Sequence, residues 1–274
     1  MAMKHSMSFA LGAICSLSVM VAGTASAQNT YRVVPVPDGG AISGSVKWSG
    51  ERPKILTLPI TKDNEVCDPE KTGVRNLERI EIGAEGGVQN TVVYLKNVTA
   101  GKAWDLPDTR RMLDQRRCRY VPHVLLVQAG SDVALRSSDP ILHTIHMAGA
   151  ADYNLPFPMV DVTLSRPLRK AGIIDLKCNA GHIWMNGVIV VVDSPYYAVT
   201  DDRGDFHITG VPPGEYEIVA WHEGWRVARE EPVLDVGTQT KTKRLFYTDP
   251  VTWQKRVTVT ANGRASVDFQ MSER

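Results

Sequence analysis

The stretch Cys178-Asn-Ala-Gly-His182-Ile-Trp-Met185 sets the interpretation of the whole chain, because three side chains that bind metals fall within one octet. They are a thiolate, an imidazole and a thioether. The strand-like segment 172–176 ends just before the octet, and a β-branched run at 187–192 follows it. Cys178 is therefore predicted at the end of a strand, with His182 and Met185 on the loop that comes next.

The chemistry of these three side chains favours copper over the other common metal ions. Soft thiolate and thioether ligands select copper, and two imidazoles with one cysteine and a distant axial methionine form the blue-copper ligand set. The octet lacks one imidazole. The segment 138–146 has a turn signal ahead of a short alternating run, and we predict that its His143 is the missing ligand. The expected site holds one copper ion through His143, Cys178, His182 and Met185.

Four further residues near these ligands have weaker predicted roles. Asp139 and Thr144 are interpreted as hydrogen-bond partners that orient an imidazole. Trp184 lies between two predicted ligands and either shields the metal, offers an aromatic path for electrons or only packs the loop. His146 is three residues beyond His143 and so faces the opposite side of a strand, which favours a structural role over a ligand role.

The first 27 residues are predicted to be a secretory signal peptide. A positively charged start with Lys4 precedes an apolar stretch, and the small residues at 25–27 form a cleavage site before Gln28. No later segment approaches the roughly 20 apolar residues of a membrane-spanning helix. The mature chain is therefore expected in the periplasm or outside the cell, without a transmembrane segment.

Charge and cysteine content narrow the function further. Lys and Arg total 31 and Asp and Glu total 30, a balance that does not indicate a nucleic-acid or anionic-membrane partner. Beyond the signal peptide the cysteines are Cys67, Cys118 and Cys178, an odd number for an oxidising compartment. If Cys178 binds the metal, Cys67 and Cys118 are free to form a disulfide.

The rest of the chain predicts an all-β protein with two sandwiches. Short alternating runs separated by Gly, Pro, Asn and Asp favour antiparallel sheets, and we expect strands at 40–48, 90–95, 121–127, 132–136, 142–147, 172–176 and 187–192.

The segments between these strands are expected to be loops and turns. The proline-containing stretch 149–169 is expected to be a long loop, and 105–117 is expected to form either a helical turn or two or a solvated surface. A hairpin is expected around Asn262-Gly263. We place the domain boundary at 195, which gives a copper domain at 28–195 and a small sandwich at 196–274.

The predicted ligands resemble those of the cupredoxin family, in which one His lies on an early strand and Cys, His and Met lie on a late loop. The spacing of Cys178, His182 and Met185 is also similar to the second half of the binuclear copper motif of cytochrome oxidase. Ile174 stands where that motif has its first cysteine. The resemblance therefore implies a Greek-key cupredoxin sandwich with a mononuclear, type 1-like copper centre.

The C-terminal part resembles the carboxypeptidase regulatory-like module, a small transthyretin-like sandwich. The resemblance is carried by Val199-Thr-Asp, Gly204-Asp-Phe206, Val211-Pro-Pro-Gly214, Tyr216 and the closing segment 265–269. Such a module implies a structural or docking role. His222 and Glu223 within it are interpreted as a strand-end pair at the domain interface.

Three functions are consistent with these observations, and the sequence favours a carrier over an enzyme. The first is a periplasmic or secreted electron-transfer protein with a redox partner such as a cytochrome. The second is a copper-handling or delivery protein. The third is a metal-free adhesion or carbohydrate-binding sandwich, which Trp48, Trp221 and Trp225 would serve if they were exposed.

Overall fold

The computed structural model describes Met1 and residues 31–105, 111–235 and 240–273. The predicted signal peptide lies outside these residues, apart from Met1. Almost all regular structure in the described ranges is β, so the predicted all-β class is confirmed. A search of the same ranges for a helix with the length and apolar character needed to cross a bilayer finds none.

The elements follow one another along the chain as short strands. The strands are β1 Arg32–Val33, β2 Gly40–Trp48, β3 Thr57–Pro59, β4 Val74–Asn76, β5 Val92–Leu95, β6 Ala100–Gly101, β7 Met112–Gln115, β8 Tyr120–Val121, β9 Val124–Gln128, β10 Asp132–Ser137, β11 His143–Gly149, β12 Tyr153–Phe157, β13 Thr163–Pro167, β14 Gly172–Lys177, β15 Asn186–Val192, β16 Tyr197–Val199, β17 Asp205–Val211, β18 Gly214–His222, β19 Val227–Asp235, β20 Thr240–Tyr247, β21 Val251–Val259, β22 Arg264–Ser266 and β23 Phe269–Met271. One short helix, α1 Asn64–Cys67, lies between β3 and β4.

The first sandwich contains β7 to β15 and carries the predicted ligands. One of its sheets has the order β13-β10-β7-β8, and the other has the order β12-β11-β14-β15-β9. Large apolar side chains from both sheets form a single core, which includes Leu113, Leu135, Ile145, Phe157 and Ile189. Because β11 and β14 pair antiparallel, the beginning of β11 lies close to the end of β14.

The second sandwich combines strands from both ends of the chain. Its sheets have the orders β16-β5-β18-β21 and β17-β2-β22, with β23 also paired to β2. The strands Gly40–Trp48 and Val92–Leu95, which were predicted to belong to a copper domain at 28–195, therefore lie in the other sandwich. The prediction was wrong here because the alternation of a strand does not specify its partner.

A third apolar layer joins the two sandwiches. Val188, Val190 and Val192 of β15 face Val92 of β5 and Trp221 of β18, whereas the alternate residues of β15 point into the first core. Every residue of β15 is consequently buried. This burial on both faces explains the uninterrupted apolar run at 187–192, which lacks the polar alternation of a surface strand.

Two predictions about loops and helices are corrected by the strand pairing. The stretch 149–169 contains β12 and β13, not only a loop. Both are edge strands, where Pro156 and Pro167 are tolerated because their missing N–H groups need no ladder partner. Residues Met112–Gln115 form a strand parallel to β10 and not a helical turn, while 106–110 lie outside the described residues.

The predicted hairpin around Asn262 is also wrong. A turn is present, with Asn262 at φ 52° and the Gly263 N–H donating to the Thr260 carbonyl at 2.9 Å. The strands on its two sides, however, enter different sheets: β21 pairs with β18, and β22 pairs in parallel with β2. The turn thus connects the two sheets of the second sandwich, because Phe269 and its neighbours bury themselves in the opposite sheet.

The segment 57–76, which we call the cap segment, packs against the first sandwich, with Ile60 and Cys67 in its core. Its strands β3 and β4 pair with each other, and α1 lies between them. A disulfide joins Cys67 of this segment to Cys118. The hairpin β19–β20 also reaches the first sandwich, with Leu245 in its core.

Candidate metal centre

Two neighbouring strands and one loop bring the predicted ligands together. His143 is the first residue of β11, and Cys178 directly follows β14, so the antiparallel pairing places them beside each other. His182 lies on the loop from β14 to β15. That loop is closed by a turn in which the Met185 N–H donates to the His182 carbonyl at 2.9 Å.

Three ligand atoms converge on one point. The Nδ1 atoms of His143 and His182 lie 3.1 Å apart. The sulfur of Cys178 lies 3.8 Å from Nδ1 of His143 and 3.6 Å from Nδ1 of His182. Both imidazoles are fully buried and Cys178 is only 6% exposed. The geometry is that of a small, enclosed donor set.

These separations fit a trigonal metal ion. For metal bonds of about 2.0 Å to nitrogen and about 2.3 Å to sulfur, trigonal angles place the nitrogens about 3.5 Å apart and the sulfur about 3.7 Å from each. The observed 3.1, 3.6 and 3.8 Å are close to those values. One thiolate with two imidazoles is also the donor set typical of blue-copper sites.

A carboxylate holds the other nitrogen of each imidazole. Nε2 of His143 lies 2.9 Å from Oδ2 of Asp139, and Nε2 of His182 lies 2.8 Å from Oδ2 of Asp63. With a proton on Nε2 in each ring, both Nδ1 atoms carry free lone pairs toward the sulfur. The carboxylates thereby favour the tautomers that bind metal through Nδ1.

Asp139 is itself held in place by the backbone. Its Oδ1 accepts from the Arg117 N–H at 2.7 Å, and its Oδ2 accepts from the Cys118 N–H at 2.8 Å. Cys118 also forms the disulfide with Cys67 of the cap segment. The short stretch of backbone that holds Asp139 is therefore also the one to which the disulfide is attached. The orientation of His143 therefore depends on the turn between β7 and β8.

Thr144 contacts the sulfur, as its predicted supporting role requires. Its N–H donates to the Cys178 sulfur at 3.4 Å and its hydroxyl lies 3.8 Å from the same atom. The hydroxyl also accepts from the Asn179 N–H at 2.6 Å. These contacts hold the start of the loop against β11 and leave the sulfur directed toward the imidazoles.

The surroundings of the sulfur favour its anionic form. Burial by itself would raise the pKa of the Cys178 thiol, but hydrogen bonds to His143 and His182 outweigh it and lower the pKa to about 5. Burial alone would likewise lower the pKa of His143, yet Asp139 and Cys178 raise it to about 9. The pKa of Asp139 is lowered, against the effect of burial, by His143 and the two backbone donors. A metal ion would replace the protons shared by such a pair.

The remaining predicted residues differ in their placement. Met185 is buried in the first core on the same loop as His182. Trp184 is also buried, with its ring centroid 5.5 Å from that of His182, and its Nε1 has no hydrogen-bond partner among the described residues. His146 is half-buried on the other face of β11 and is not part of the convergent group.

Sequence reasoning missed Asp63 and the cap segment. Asp63 lies 119 residues before His182 and adopts a left-handed backbone conformation with φ 51°. The Lys62 ammonium donates to the Ala180 carbonyl at 2.6 Å, so two adjacent cap residues contact the ligand loop. The only sequence signal for this contact was Cys67, whose disulfide brings the cap segment to the first sandwich.

A buried ion network lies between the ligand loop and the second sandwich. The carboxylate of Glu223 binds the Arg79 guanidinium at 2.7 Å and also contacts Nε2 of His123. Arg79 donates to the Asn186 side chain at 3.1 Å, and that amide donates to the Trp184 carbonyl at 3.0 Å. Glu223 thus lies at the interface, where the sequence placed it, but its ion-pair partners were not predicted.

Comparison with known protein families gives one match. The model described as "BOS complex subunit NOMO1-like, second beta sandwich domain" matches residues 193–245, which include β16 to β19 and most of β20. Comparison with curated protein sequences gives no match. The matched region supports a β-sandwich module in the C-terminal part and lies outside the candidate metal centre.

Several solved copper-protein structures are similar to part of the chain. A purple cupredoxin from Nitrosopumilus maritimus is 17% identical, with a TM-score of 0.27, over 30% of this chain and 98% of its own. A copper-containing nitrite reductase from Thermus scotoductus is 20% identical, with a TM-score of 0.29, over 34% of this chain and 24% of its own. An oxidized amicyanin variant is 26% identical, with a TM-score of 0.27, over 32% of this chain and 87% of its own. The TM-scores are low, and each similarity covers about a third of this chain.

Proposed function

We propose that the protein is a mononuclear copper protein that transfers electrons in the periplasm or outside the cell. The observation that carries this proposal is the convergence of the Cys178 sulfur and the Nδ1 atoms of His143 and His182 within 3.8 Å of one another. Copper held by this set supplies a one-electron redox couple. Met185, which is buried on the same loop as His182, would be the fourth ligand.

The protein's own residues favour a site that changes little between oxidation states. His143 and Cys178 lie at the ends of two hydrogen-bonded strands. Each imidazole is held from behind by a carboxylate, Asp139 or Asp63. A ligand set that is held this firmly needs little rearrangement when an electron arrives or leaves, which suits a carrier.

The burial of the ligands argues against the delivery alternative. A delivery protein must expose its metal to an incoming ligand from the acceptor. Here both imidazoles are fully buried and the cap segment contacts the loop that carries His182. The same enclosure suits a protein that keeps its copper and exchanges only electrons.

The metal-free binding alternative required exposed tryptophans. Trp221 and Trp225 are both buried, and Trp225 packs edge-on against Trp48 with ring centroids 5.8 Å apart. These rings therefore fill the interior of the second sandwich and the interface. They do not form a stacking platform for a carbohydrate.

The copper proposal is tested by absorption spectroscopy of the loaded protein. We expect an intense visible thiolate-to-copper(II) band that disappears in Cys178→Ser. His146→Gln is the matched control, because His146 lies on the same strand but on its other face, and this variant should keep the band. A protein grown with ample copper that is colourless and metal-free by elemental analysis contradicts the proposal.

Two further measurements separate transfer from delivery and test the location. Protein-film voltammetry should show a reversible one-electron couple, and copper(I) should remain bound when bicinchoninate is added. Rapid loss of copper(I) to that chelator supports delivery instead. Protein recovered from the periplasm or medium should begin at Gln28.

A further inference from the structure

An arginine-rich cleft lies between the cap segment and the turn from β7 to β8. Its volume is about 680 Å³. Four guanidinium groups line it, together with two exposed apolar side chains. These residues are Arg75, Arg116, Arg117, Arg119, Val74 and Val121.

The positive charge of this arginine cleft is only partly neutralised. Arg117 pairs with Glu70 at 2.9 Å, and Arg119 pairs with Glu78. Arg75 donates to backbone carbonyls of Cys67 and Arg117, and no described carboxylate pairs with it or with Arg116. Since the chain as a whole is almost neutral, four arginines in one cleft are a local concentration of charge.

The wall of the arginine cleft is connected to the candidate metal centre. Backbone N–H groups of Arg117 and Cys118 donate to Asp139 at 2.7 and 2.8 Å, and Asp139 lies 2.9 Å from Nε2 of His143. Two hydrogen bonds thus separate the cleft backbone from a proposed ligand. The His182 side is covered instead by Lys62 and Asp63 of the cap segment.

We propose that the arginine cleft is the docking surface for a redox protein that presents a carboxylate-bearing face. Guanidinium groups bind carboxylates in a bidentate way, and protein interfaces commonly combine arginines with apolar side chains. Val74 and Val121, which are 46% and 44% exposed, supply the apolar part. The proposal rests on the proposed electron-transfer function and adds the route: electrons pass between the partner and the copper through Asp139 and His143.

The first test compares two small oxidants of opposite charge with the copper(I)-loaded full chain. Hexacyanoferrate(III), an anion, takes one electron and becomes hexacyanoferrate(II) while the protein becomes the copper(II) form. Tris(phenanthroline)cobalt(III), which is a cation, also takes one electron from the protein and becomes the cobalt(II) complex. In Arg116→Glu/Arg117→Glu we expect the anion to react about tenfold more slowly and the cation to react faster at low salt. The effect should disappear at about 0.5 M salt.

The matched control reverses the charge of two arginines that do not line the cleft. Arg256→Glu/Arg264→Glu makes the same change in net charge on exposed strands of the second sandwich. If both double variants change the rates equally, the effect is one of net charge and the docking proposal is overturned.

Competition separates a protein-docking surface from a small-anion pocket. A polyglutamate peptide should slow the reaction with hexacyanoferrate(III), and inorganic phosphate at the same ionic strength should not. If phosphate inhibits as strongly as the peptide, the cleft is a small-anion pocket and the docking proposal is overturned.

The failure of the proposed function has a different signature. It appears as a loaded protein without the thiolate band and without one-electron oxidation by either reagent. In that case, calorimetry measures how strongly the polyglutamate peptide binds to two proteins. These are the unmodified full chain and Arg116→Glu/Arg117→Glu. Equal binding by both overturns the docking surface.

Discussion

Each histidine of the candidate site directs one ring nitrogen to the sulfur and the other to a carboxylate. Asp139 and Asp63 come from different parts of the chain, yet they make the same kind of contact to His143 and His182. Residues behind a metal ligand hold its tautomer and orientation, and their loss typically costs 10- to 100-fold in metal affinity. Asp139 and Asp63 are therefore expected to affect metal binding, as the ligands that they support do.

The substitution Asp139→Asn tests this role. We expect copper affinity to fall by roughly 10- to 100-fold, because the amide no longer favours the tautomer with its proton on Nε2. Competition with a calibrated chelator measures the change. Asp205→Asn, an exposed residue of the second sandwich, is the control. An unchanged affinity in Asp139→Asn would show that the aspartate only packs the turn.

His123 and Glu223 form a buried ion pair whose pKa shifts make stability depend on pH. Burial by itself would lower the pKa of His123, but Glu223 raises it above the ordinary value of 6.5. Burial by itself would raise the pKa of Glu223, but His123 and Arg79 lower it. The histidine therefore stabilises the fold fully below pH 6.5, and this contribution is lost as the pH rises through the folded-state pKa.

The corresponding prediction concerns His123→Gln. The difference in unfolding free energy between wild type and this variant should shrink as the pH rises above 6.5, because only the wild type releases a proton from this site. Urea unfolding at several pH values measures it. His207→Gln, on an exposed part of β17 and outside this ion pair, is the control. A constant difference for His123→Gln would mean that the pair does not titrate in this range.

At the scale of elements, the cap segment joins the disulfide to the ligand loop. Cys67 ends α1 and pairs with Cys118, and Asp63 precedes the same helix. The disulfide thus holds in position the residues that contact His182 and Ala180. Stability and site geometry are expected to change together when this connection is cut.

The double variant Cys67→Ser/Cys118→Ser tests that connection. The two cysteines are 51 residues apart, and on the chain-entropy model the disulfide of such a loop stabilises the fold by about 4 kcal/mol. We expect a loss of that order in chemical unfolding, together with faster reaction of Cys178 with a thiol reagent in metal-free protein. Loss of stability without a change in Cys178 reactivity would show that the cap segment stays closed without its disulfide.

At the scale of the whole molecule, the two sandwiches are interdependent. The second sandwich needs β2 and β5 from the N-terminal part, and the first packs against it through the third apolar layer. The first sandwich is the continuous stretch β7 to β15, but its core also contains Ile60 and Cys67 of the cap segment and Leu245, and the second sandwich covers the outer face of β15. The molecule is therefore expected to unfold as one unit.

Fragments provide the test of this interdependence. The C-terminal piece 196–274 lacks β2 and β5, so each of its two sheets loses a central strand, and we expect it to be unfolded alone. Circular dichroism and the dispersion of amide resonances measure this. A full chain with one cooperative transition serves as the control. A folded fragment would restore the contiguous domain division at 195.

The sequence by itself determined the all-β class and the residues with metal chemistry. Strand alternation and turn residues are local signals, and the octet from Cys178 to Met185 keeps its ligands close through the chain alone. His143 was found because its strand entry is a local pattern as well. The structure shows that His143, Cys178 and His182 converge.

Only the tertiary structure decided which distant residues meet. Asp63 reaches His182 across 119 residues, Glu223 reaches His123 across 100, and β2 pairs with strands near the C-terminus. None of these contacts is marked in the sequence by a periodic pattern or a characteristic spacing. They form because apolar faces must be buried, and the register that buries them brings particular polar side chains together.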